Sequence, residues 1–340
     1  MTSLDRLFLA RAYELAARGR GNTSPNPIVG AVFVRDGAVI GEGYHHKAGE
    51  AHAEIEALRS AGDVTGATLY VSLEPCAHDG RTGSCARALA PLRLARVVIG
   101  TLDPNPLTHG NGATMLHEAG IDVEIADDDE ARRLIEPFAV AIERKRPYVA
   151  LKMAISLDGF AAATPGERTQ LTGDAWSAYV RDLRAAHDAV MVGAGTVRVD
   201  DPLLTVRPPR HRLHPYARIV VAGARPLPPA SRVLAPVPGY DPTIVLSSGG
   251  AAGLDLEAAL RGLYERGIRS ILCEGGPALA TALIERGLVD RFYWAIAPVL
   301  LGPEGVPALA PGSSARHGRE LRFDTVERFG DDVMLSGKFA

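Results

Sequence analysis

Residues 67–85 read Ala-Thr-Leu-Tyr-Val-Ser-Leu-Glu-Pro-Cys-Ala-His-Asp-Gly-Arg-Thr-Gly-Ser-Cys. The run Ala67–Leu73 is apolar and rich in strand formers, so it predicts a β-strand. Pro75-Cys76 follows that strand directly, and Cys85 stands nine positions later, near the start of the next predicted helix. Upstream, His52-Ala53-Glu54 opens another predicted helix, Ala51–Ala61. One imidazole and two thiolates form a three-ligand set that suits Zn2+ and leaves a fourth position for water. Taken singly, His52 would be a surface histidine and each cysteine a small buried apolar residue. Taken together they point to a metal site, because two of the chain's three cysteines fall in one loop region after a strand and downstream of His-x-Glu. The third, Cys273, lies in an apolar strand and reads as an inert core residue.

The surrounding pattern is α/β. Leu4–Arg18 repeats its apolar residues at helical spacing. Ile28–Val34 and Ala38–Tyr44 read as strands around the tight-turn pair Asp36-Gly37. Further strands are predicted at Ala95–Gly100 and Ile121–Ala126, with helices at Ala86–Leu94 (interrupted by Pro91), Gly112–Ala119 and Ala126–Glu143. A hairpin followed by βαβ alternation implies a mixed sheet with helices on both faces. The charged run Glu143–Pro147 reads as a solvated linker, which divides the chain into domains 1–146 and 147–340. The second half restarts as another α/β domain. Its predicted strands are Tyr148–Ile155, Asp188–Gly193, Arg218–Ala222, Thr243–Ser247, Ile271–Glu274, Phe292–Ala297 and Val333–Lys338. Its predicted helices are Asp174–Ala185, Leu254–Arg266 and Ala278–Arg286.

Composition narrows the classes. The 340 residues are 46% hydrophobic and 23% charged, enough apolar content to fill a core and too much for disorder. Lys and Arg number 37 against 40 Asp and Glu, a net charge of −3. That balance argues against a nucleic-acid partner, while a local basic pocket for one phosphate is still allowed. Three cysteines make no disulfide framework. No signal peptide fits the N-terminus, and no stretch reaches ~18 apolar residues, so no membrane partner is expected. The expectation is a cytoplasmic protein.

Beside the metal ligands stands Glu54, two residues from His52, where it can serve a ligated water as a proton shuttle; zinc-dependent base deaminases use a glutamate in this way without ligating it. The resemblance then becomes specific. Thr23-Ser24-Pro25-Asn26-Pro27-Ile28-Val29-Gly30, Gly43-Tyr44-His45, His52-Ala53-Glu54, Glu74-Pro75-Cys76-Ala77-His78-Asp79-Gly80-Arg81-Thr82 and Asp103-Pro104-Asn105-Pro106 resemble the deaminase domain of the bifunctional riboflavin-biosynthesis deaminase/reductase family. The long gap between the cysteines is similar to that branch and unlike nucleoside or transfer-RNA deaminases. One departure is Gly83-Ser84, where the family commonly has two prolines. The resemblance implies a cytidine-deaminase-like fold, Zn2+ on His52, Cys76 and Cys85, Glu54 as the catalytic acid/base, and substrate contacts at Asn26, His45 and Arg81.

The second half resembles the reductase domain of the same family, on Leu151–Gly159, Arg184, Gly193–Val197, Asp200–Arg207 and Glu274–Ala280. That implies a dihydrofolate-reductase-like fold and NADPH. Carried over residue by residue, Ala154, Gln170, Thr196, Asp200, Gly276, Pro277, Ala278, Leu279, Ala280, Thr281 and Ala282 match cofactor positions. Arg168, Arg184, Leu204, Arg207 and Glu274 match substrate positions. Two of these depart in kind, since the family usually has serine and tryptophan where this chain has Arg168 and Gln170. Glu274-Gly275-Gly276 also ends a strand and opens a helix, a place where backbone N–H groups can meet a phosphate, though without the spacing of a dinucleotide-binding glycine fingerprint.

The resemblance implies that a pyrimidine ribonucleotide, 2,5-diamino-6-ribosylamino-4(3H)-pyrimidinone 5′-phosphate, is deaminated hydrolytically and that NADPH then reduces the ribosyl group to ribityl. It also implies a homo-oligomer, dimer or tetramer. Three alternatives compete: a zinc deaminase with a reductase-inactive second domain, a nucleic-acid base deaminase, and a non-catalytic zinc-stabilised binding protein. An intact Glu54 argues against the last, because a structural zinc site needs no proton shuttle and usually has four protein ligands.

Overall fold

The first helix, α1 (Ser3–Ala17), begins where Thr2 closes a capping box: its hydroxyl accepts from Asp5 N at 3.1 Å and its own N–H donates to the Asp5 carboxylate at 2.6 Å. The buried Asp5 also accepts from Tyr70 and Arg96, each at 2.8 Å, which ties the helix to two neighbouring strands. The computed structural model describes residues 1–78, 83–106, 108–206, 216–223, 226–247, 253–310 and 319–340. They form two compact units, Met1–Lys145 and Arg146–Ala340.

In the first unit, strands β1 (Gly30–Arg35), β2 (Ala38–Tyr44), β3 (Thr68–Val71), β4 (Arg96–Ile99) and β5 (Asp122–Ile125) form one sheet in the order β2-β1-β3-β4-β5. The pairs β1–β2 and β1–β3 are antiparallel, and β3–β4 and β4–β5 are parallel. Asp36 and Gly37 both adopt positive φ, 53° and 76°, the geometry of a two-residue hairpin turn. Alternate residues face opposite ways. Val32, Val34, Tyr70 and Val98 pack against α1, whereas Ala31, Phe33, Leu69, Val71, Val97 and Ile99 pack on the other face. That second face is covered by α2 (Ala53–Ala61), α3 (Cys85–Leu89) and α4 (Asn111–Glu118). Helix α2 lies directly on β2 because Gly41 and Gly43 give it room: a Cβ on Gly43 would stand 2.4 Å from Ala57 N. The single helix expected over Ala126–Glu143 is instead two, α5 (Asp129–Leu134) and α6 (Glu136–Arg144). Pro137 is the cause, since it lacks an N–H and fits the first turn of a helix better than its middle.

The second unit has strands β6 (Tyr148–Ser156), β7 (Phe160–Ala162), β8 (Ala189–Gly193), β9 (Ala217–Val221), β10 (Ile244–Leu246), β11 (Ser270–Cys273), β12 (Arg291–Ala297), β13 (Val306–Pro307), β14 (Leu321–Phe329) and β15 (Asp332–Phe339). Eight of them form a sheet in the order β10-β9-β8-β11-β6-β12-β15-β14, parallel up to β12 and antiparallel beyond it. Helices α7 (Asp174–Ala186), α8 (Ala194–Asp200), α9 (Leu256–Glu265) and α10 (Pro277–Glu285) accompany it. The largest core joins Val149, Leu151 and Met153 of β6 to Leu256, Leu260 and Leu263 of α9 and Leu283 of α10. Four elements of this unit are not foreseen by periodicity, among them the two-residue β13. Strand β14 is exposed along most of its length and charged at Arg322, Asp324, Glu327 and Arg328, so no apolar alternation marks it. Strand β7 is three residues long and α8 seven, too short for a period to register. Among the described residues no helix is long and apolar enough to cross a membrane.

Candidate functional site

In the first unit His52 is the residue before α2, with extended backbone (φ −74°, ψ 164°) and no side-chain cap bond to the helix. Cys85 is the first residue of α3 and is buried. The two cysteines are held together by their own backbones: Cys85 N–H donates to Cys76 Sγ at 3.3 Å and Ala86 N–H to Cys76 O at 3.1 Å. Ser84, where the family commonly has proline, caps α3 by accepting from Arg87 N–H at 3.2 Å and donates to Cys76 O at 2.8 Å. His52 Nδ1 lies 3.7 Å from Cys76 Sγ and 3.3 Å from Cys85 Sγ, and the three candidate ligand atoms all fall within 4.8 Å of one another.

The electrostatics suit a cation. Hydrogen bonding from Cys85 outweighs burial and brings the Cys76 thiol down to about 4. Cys85 moves upward, since it gives its proton to that bond and is itself buried. Without a metal, the sulfur pair therefore keeps one proton. A divalent cation would displace it and take both thiolates, so the donor set fits Zn2+. Glu54, in the first turn of α2 and 3% exposed, is pushed up to about 7 by burial, within reach of the Cys85 thiol.

Asn26 and His45 meet beside the ligands. The His45 ring stands edge-on to His52, with centroids 5.2 Å apart. Its Nδ1 pairs with Ala51 O at 3.0 Å and its Nε2 with the Asn26 amide nitrogen at 3.1 Å. The carbonyl can only accept, so Nδ1 carries the proton and Nε2 accepts from Asn26. Burial lowers the His45 pKa and so favours this neutral form. Arg81 lies outside the described residues.

Glu74, which the sequence marks only as the neighbour of Pro75-Cys76, turns out to be a clamp. Its buried carboxylate accepts from four backbone N–H groups, those of Asp103 (3.1 Å), Gly110 (2.9 Å), Gly112 (2.9 Å) and Ala113 (3.1 Å). It thereby caps α4 and fastens the segment after β4 to the turn that carries Cys76. A Cβ on Gly112 would sit 1.9 Å from Pro75 O. Gly112→Ala is therefore expected to cost about 1–3 kcal/mol of stability, as overpacking against backbone does, and to loosen Zn2+. Thermal unfolding with metal analysis checks both.

In the second unit Arg184, on α7, grips Glu274 just past β11 with two bonds, Nε to Oε1 at 2.5 Å and Nη2 to Oε2 at 3.0 Å. Lys152 Nζ on β6 stands 3.8 Å from the same carboxylate, and burial lowers its pKa. Lys152 has no role in the sequence reading; its one signal is a charge inside an apolar strand. Ala154 shares its face of β6. Thr196 of α8 approaches Gly276, the residue capping α10: a Cβ there would lie 3.4 Å from Thr196 Oγ1. Of the stretch Gly276–Ala282, Leu279 and Ala280 are buried in the core with Ala282 packed against it, and the Thr281 hydroxyl accepts from Ala310 N–H at 2.7 Å. What α10 can offer a ligand is its first-turn amides, at Ala278 and Leu279, since Pro277 has none. Arg168 and Gln170 are exposed and bonded to each other at 3.3 Å. The Arg168 charge acts on Asp200, at the end of α8, as does that of Lys152. Leu204 is buried, and Arg207 lies outside the described residues.

The family of the RibD C-terminal domain matches residues 147–335, and the cytidine and deoxycytidylate deaminase zinc-binding region matches residues 2–101. The riboflavin biosynthesis protein RibD of Escherichia coli K12 is 38% identical over 361 residues, covering 97% of this chain and 98% of its own. The chain belongs to the RibD family. RibD of Aquifex aeolicus is also 38% identical, with 98% of each chain covered. Among solved structures, RibD of Acinetobacter baumannii superposes with a TM-score of 0.85 at 36% identity, over 99% of both chains. A Thermotoga maritima diaminohydroxyphosphoribosylaminopyrimidine deaminase/5-amino-6-(5-phosphoribosylamino)uracil reductase does so with a TM-score of 0.84 at 32% identity. As a RibD, the chain is a bifunctional enzyme of riboflavin biosynthesis. It pairs a zinc-binding, cytidine-deaminase-like domain with a reductase domain of dihydrofolate-reductase-like fold that works with a nicotinamide cofactor.

Proposed function

We propose that the first unit hydrolytically deaminates 2,5-diamino-6-ribosylamino-4(3H)-pyrimidinone 5′-phosphate, and that the second uses NADPH to reduce the ribosyl group of that product to ribityl. The observation that carries the deaminase half is the convergence of His52 Nδ1 and the two cysteine sulfurs beside a buried Glu54. His52, Cys76 and Cys85 would hold Zn2+, which would supply the Lewis acid that activates water for attack. Glu54 would take up a proton from the attacking water and deliver it to the leaving amine, work for which a carboxyl titrating near neutrality is suited. Asn26 gives one N–H to His45, and its Oδ1 can accept from an exocyclic amine of the pyrimidine. Arg81 offers a charged fork for the phosphate.

In the second unit, Arg184 and Lys152 pair with Glu274, and the charge of Arg168 acts on Asp200. These cations suit an anionic substrate. Arg184, Glu274, Leu204, Arg168 and Arg207 are read as its substrate contacts. The α10 amides, Thr196, Ala154, Gln170 and Asp200 are read as its NADPH contacts. The cofactor provides the hydride, and the protein holds the ribosyl C1′ in front of it. Replacing the usual serine by Arg168 adds a fixed charge that binds substrate and transition state alike. Arg168→Ala is therefore expected to raise KM for the deaminated substrate more than it lowers kcat; initial rates followed by NADPH absorbance check this.

The whole reading is tested by supplying the diaminopyrimidine phosphate with and without NADPH and identifying products by mass. The deaminated ribosylamino product should form alone, and the ribityl product only with NADPH. Absence of NADPH consumption by folded enzyme would favour a deaminase with a reductase-inactive second domain. We place the enzyme in the cytoplasm as a homo-oligomer, dimer or tetramer. The edge strand β14, with Phe323 52% and Val326 67% exposed, supports association, because such an edge invites pairing. Sedimentation velocity measures it.

A further inference from the structure

The loop from Asp200 to Val206 contains two non-glycine residues in the left-handed region, Asp201 (φ 39°) and Leu204 (φ 55°). L-residues adopt this backbone rarely, and it persists only where the surroundings hold it. At Leu204 the consequence is specific. Leu204 as a whole residue is 3% exposed, and it packs into the cluster of Val190, Val192, Val197, Val220 and Val233. Among the described residues, neither its N–H nor its C=O has a hydrogen-bond partner. The turn thus buries the apolar side chain and leaves the Leu204 N–H and C=O without a hydrogen-bond partner among those residues.

Among the described residues two tethers hold this loop, and both come from the segment Arg232–Tyr240. Asp201 Oδ1 accepts from Arg232 N–H at 2.7 Å. The Tyr240 hydroxyl accepts from Val206 N–H at 2.9 Å and donates to Val206 C=O at 3.3 Å, so one hydroxyl satisfies both polar backbone atoms of one residue. The Tyr240 ring is itself fixed. Tyr216 meets it edge-on at 5.9 Å, and the buried Arg218 guanidinium lies 5.9 Å above it while donating to Ala235 O at 3.2 Å.

We propose that Tyr240 is a positioning residue of the reductase half: by bracing Val206 it holds Leu204 in its left-handed conformation, with the peptide N–H and C=O of Leu204 left to hydrogen-bond the ribosylaminopyrimidine substrate. This rests on the reading of Leu204 and Arg184 as substrate contacts. Tyr240→Phe removes the hydroxyl and keeps the ring. KM for the deaminated substrate should rise about 3- to 10-fold, the range that the net value of one hydrogen bond allows, with kcat and the NADPH dissociation constant changed by less than about twofold. Amide exchange at Val206 should quicken. Arg232→Pro removes the other tether at a first-turn position that tolerates proline, and should raise the same KM.

Unchanged KM in both variants, with faster exchange at Val206, overturns the proposal. So does a parallel loss of NADPH affinity and kcat, which would show general loosening of the unit. Arg184→Ala separates the two levels. If it raises KM while Tyr240→Phe and Arg232→Pro do not, only the brace is wrong; if none of the three raises KM, the substrate reading fails with it.

Discussion

Glu54→Gln is expected to lower deamination by at least ~10²-fold, the typical loss when a positioned acid/base is removed. The amide has the same shape as the carboxylate and cannot take up the proton of the attacking water. The residue is buried against the ligands, yet no ligand atom of the cluster is its own, so metal content should stay at about one Zn2+ per chain. Reduction of pre-deaminated substrate should be nearly unchanged, because Glu54 belongs to the other compact unit. Metal analysis beside the two separate assays gives the answer. A variant that loses zinc would make Glu54 a ligand, and one that keeps full deaminase activity would move the proton transfer elsewhere.

Cys85→Ser should have the second large effect, and a different signature. A serine hydroxyl does not ionise near neutral pH, so it cannot replace the thiolate that Zn2+ needs. Cys85 also opens α3 and shares a hydrogen bond with Cys76, so its loss leaves two ligands on separate elements. Zinc should fall well below one per chain, and deamination should fall with it. Since the variant keeps Glu54, added Zn2+ should restore part of the activity, whereas added Zn2+ does nothing for Glu54→Gln. Titration of metal into both variants, with deaminase rates read at each step, distinguishes a ligand from a shuttle. Full zinc and full activity in both Cys85→Ser and Cys76→Ser would remove the metal site from these residues.

Much of this was legible in the chain because the chemistry is local. His52 and Glu54 are two positions apart, and Cys76 and Cys85 bracket one loop, so four of the residues that converge in the first unit lie on two short segments. The two hydrophobic faces of its sheet are likewise written as period-two alternation, as at Ala31–Val34. Buried apolar strands such as β6 and β11 announced the second unit in the same way. What the tertiary structure decided is everything that depends on distant partners. Glu74 becomes a clamp only when Asp103, Gly110, Gly112 and Ala113 fold over it. Lys152 and Arg184 join Glu274 from other elements, more than 80 residues away in sequence. Tyr240 braces Val206 across 34 residues. Strand β14 is a strand because β15 pairs with it, against its own exposed and charged character. Periodicity and motif spacing record what a segment does with its neighbours in the chain; a backbone group satisfied by a remote carboxylate or hydroxyl leaves no such record, because any polar residue at the right place in space can provide it.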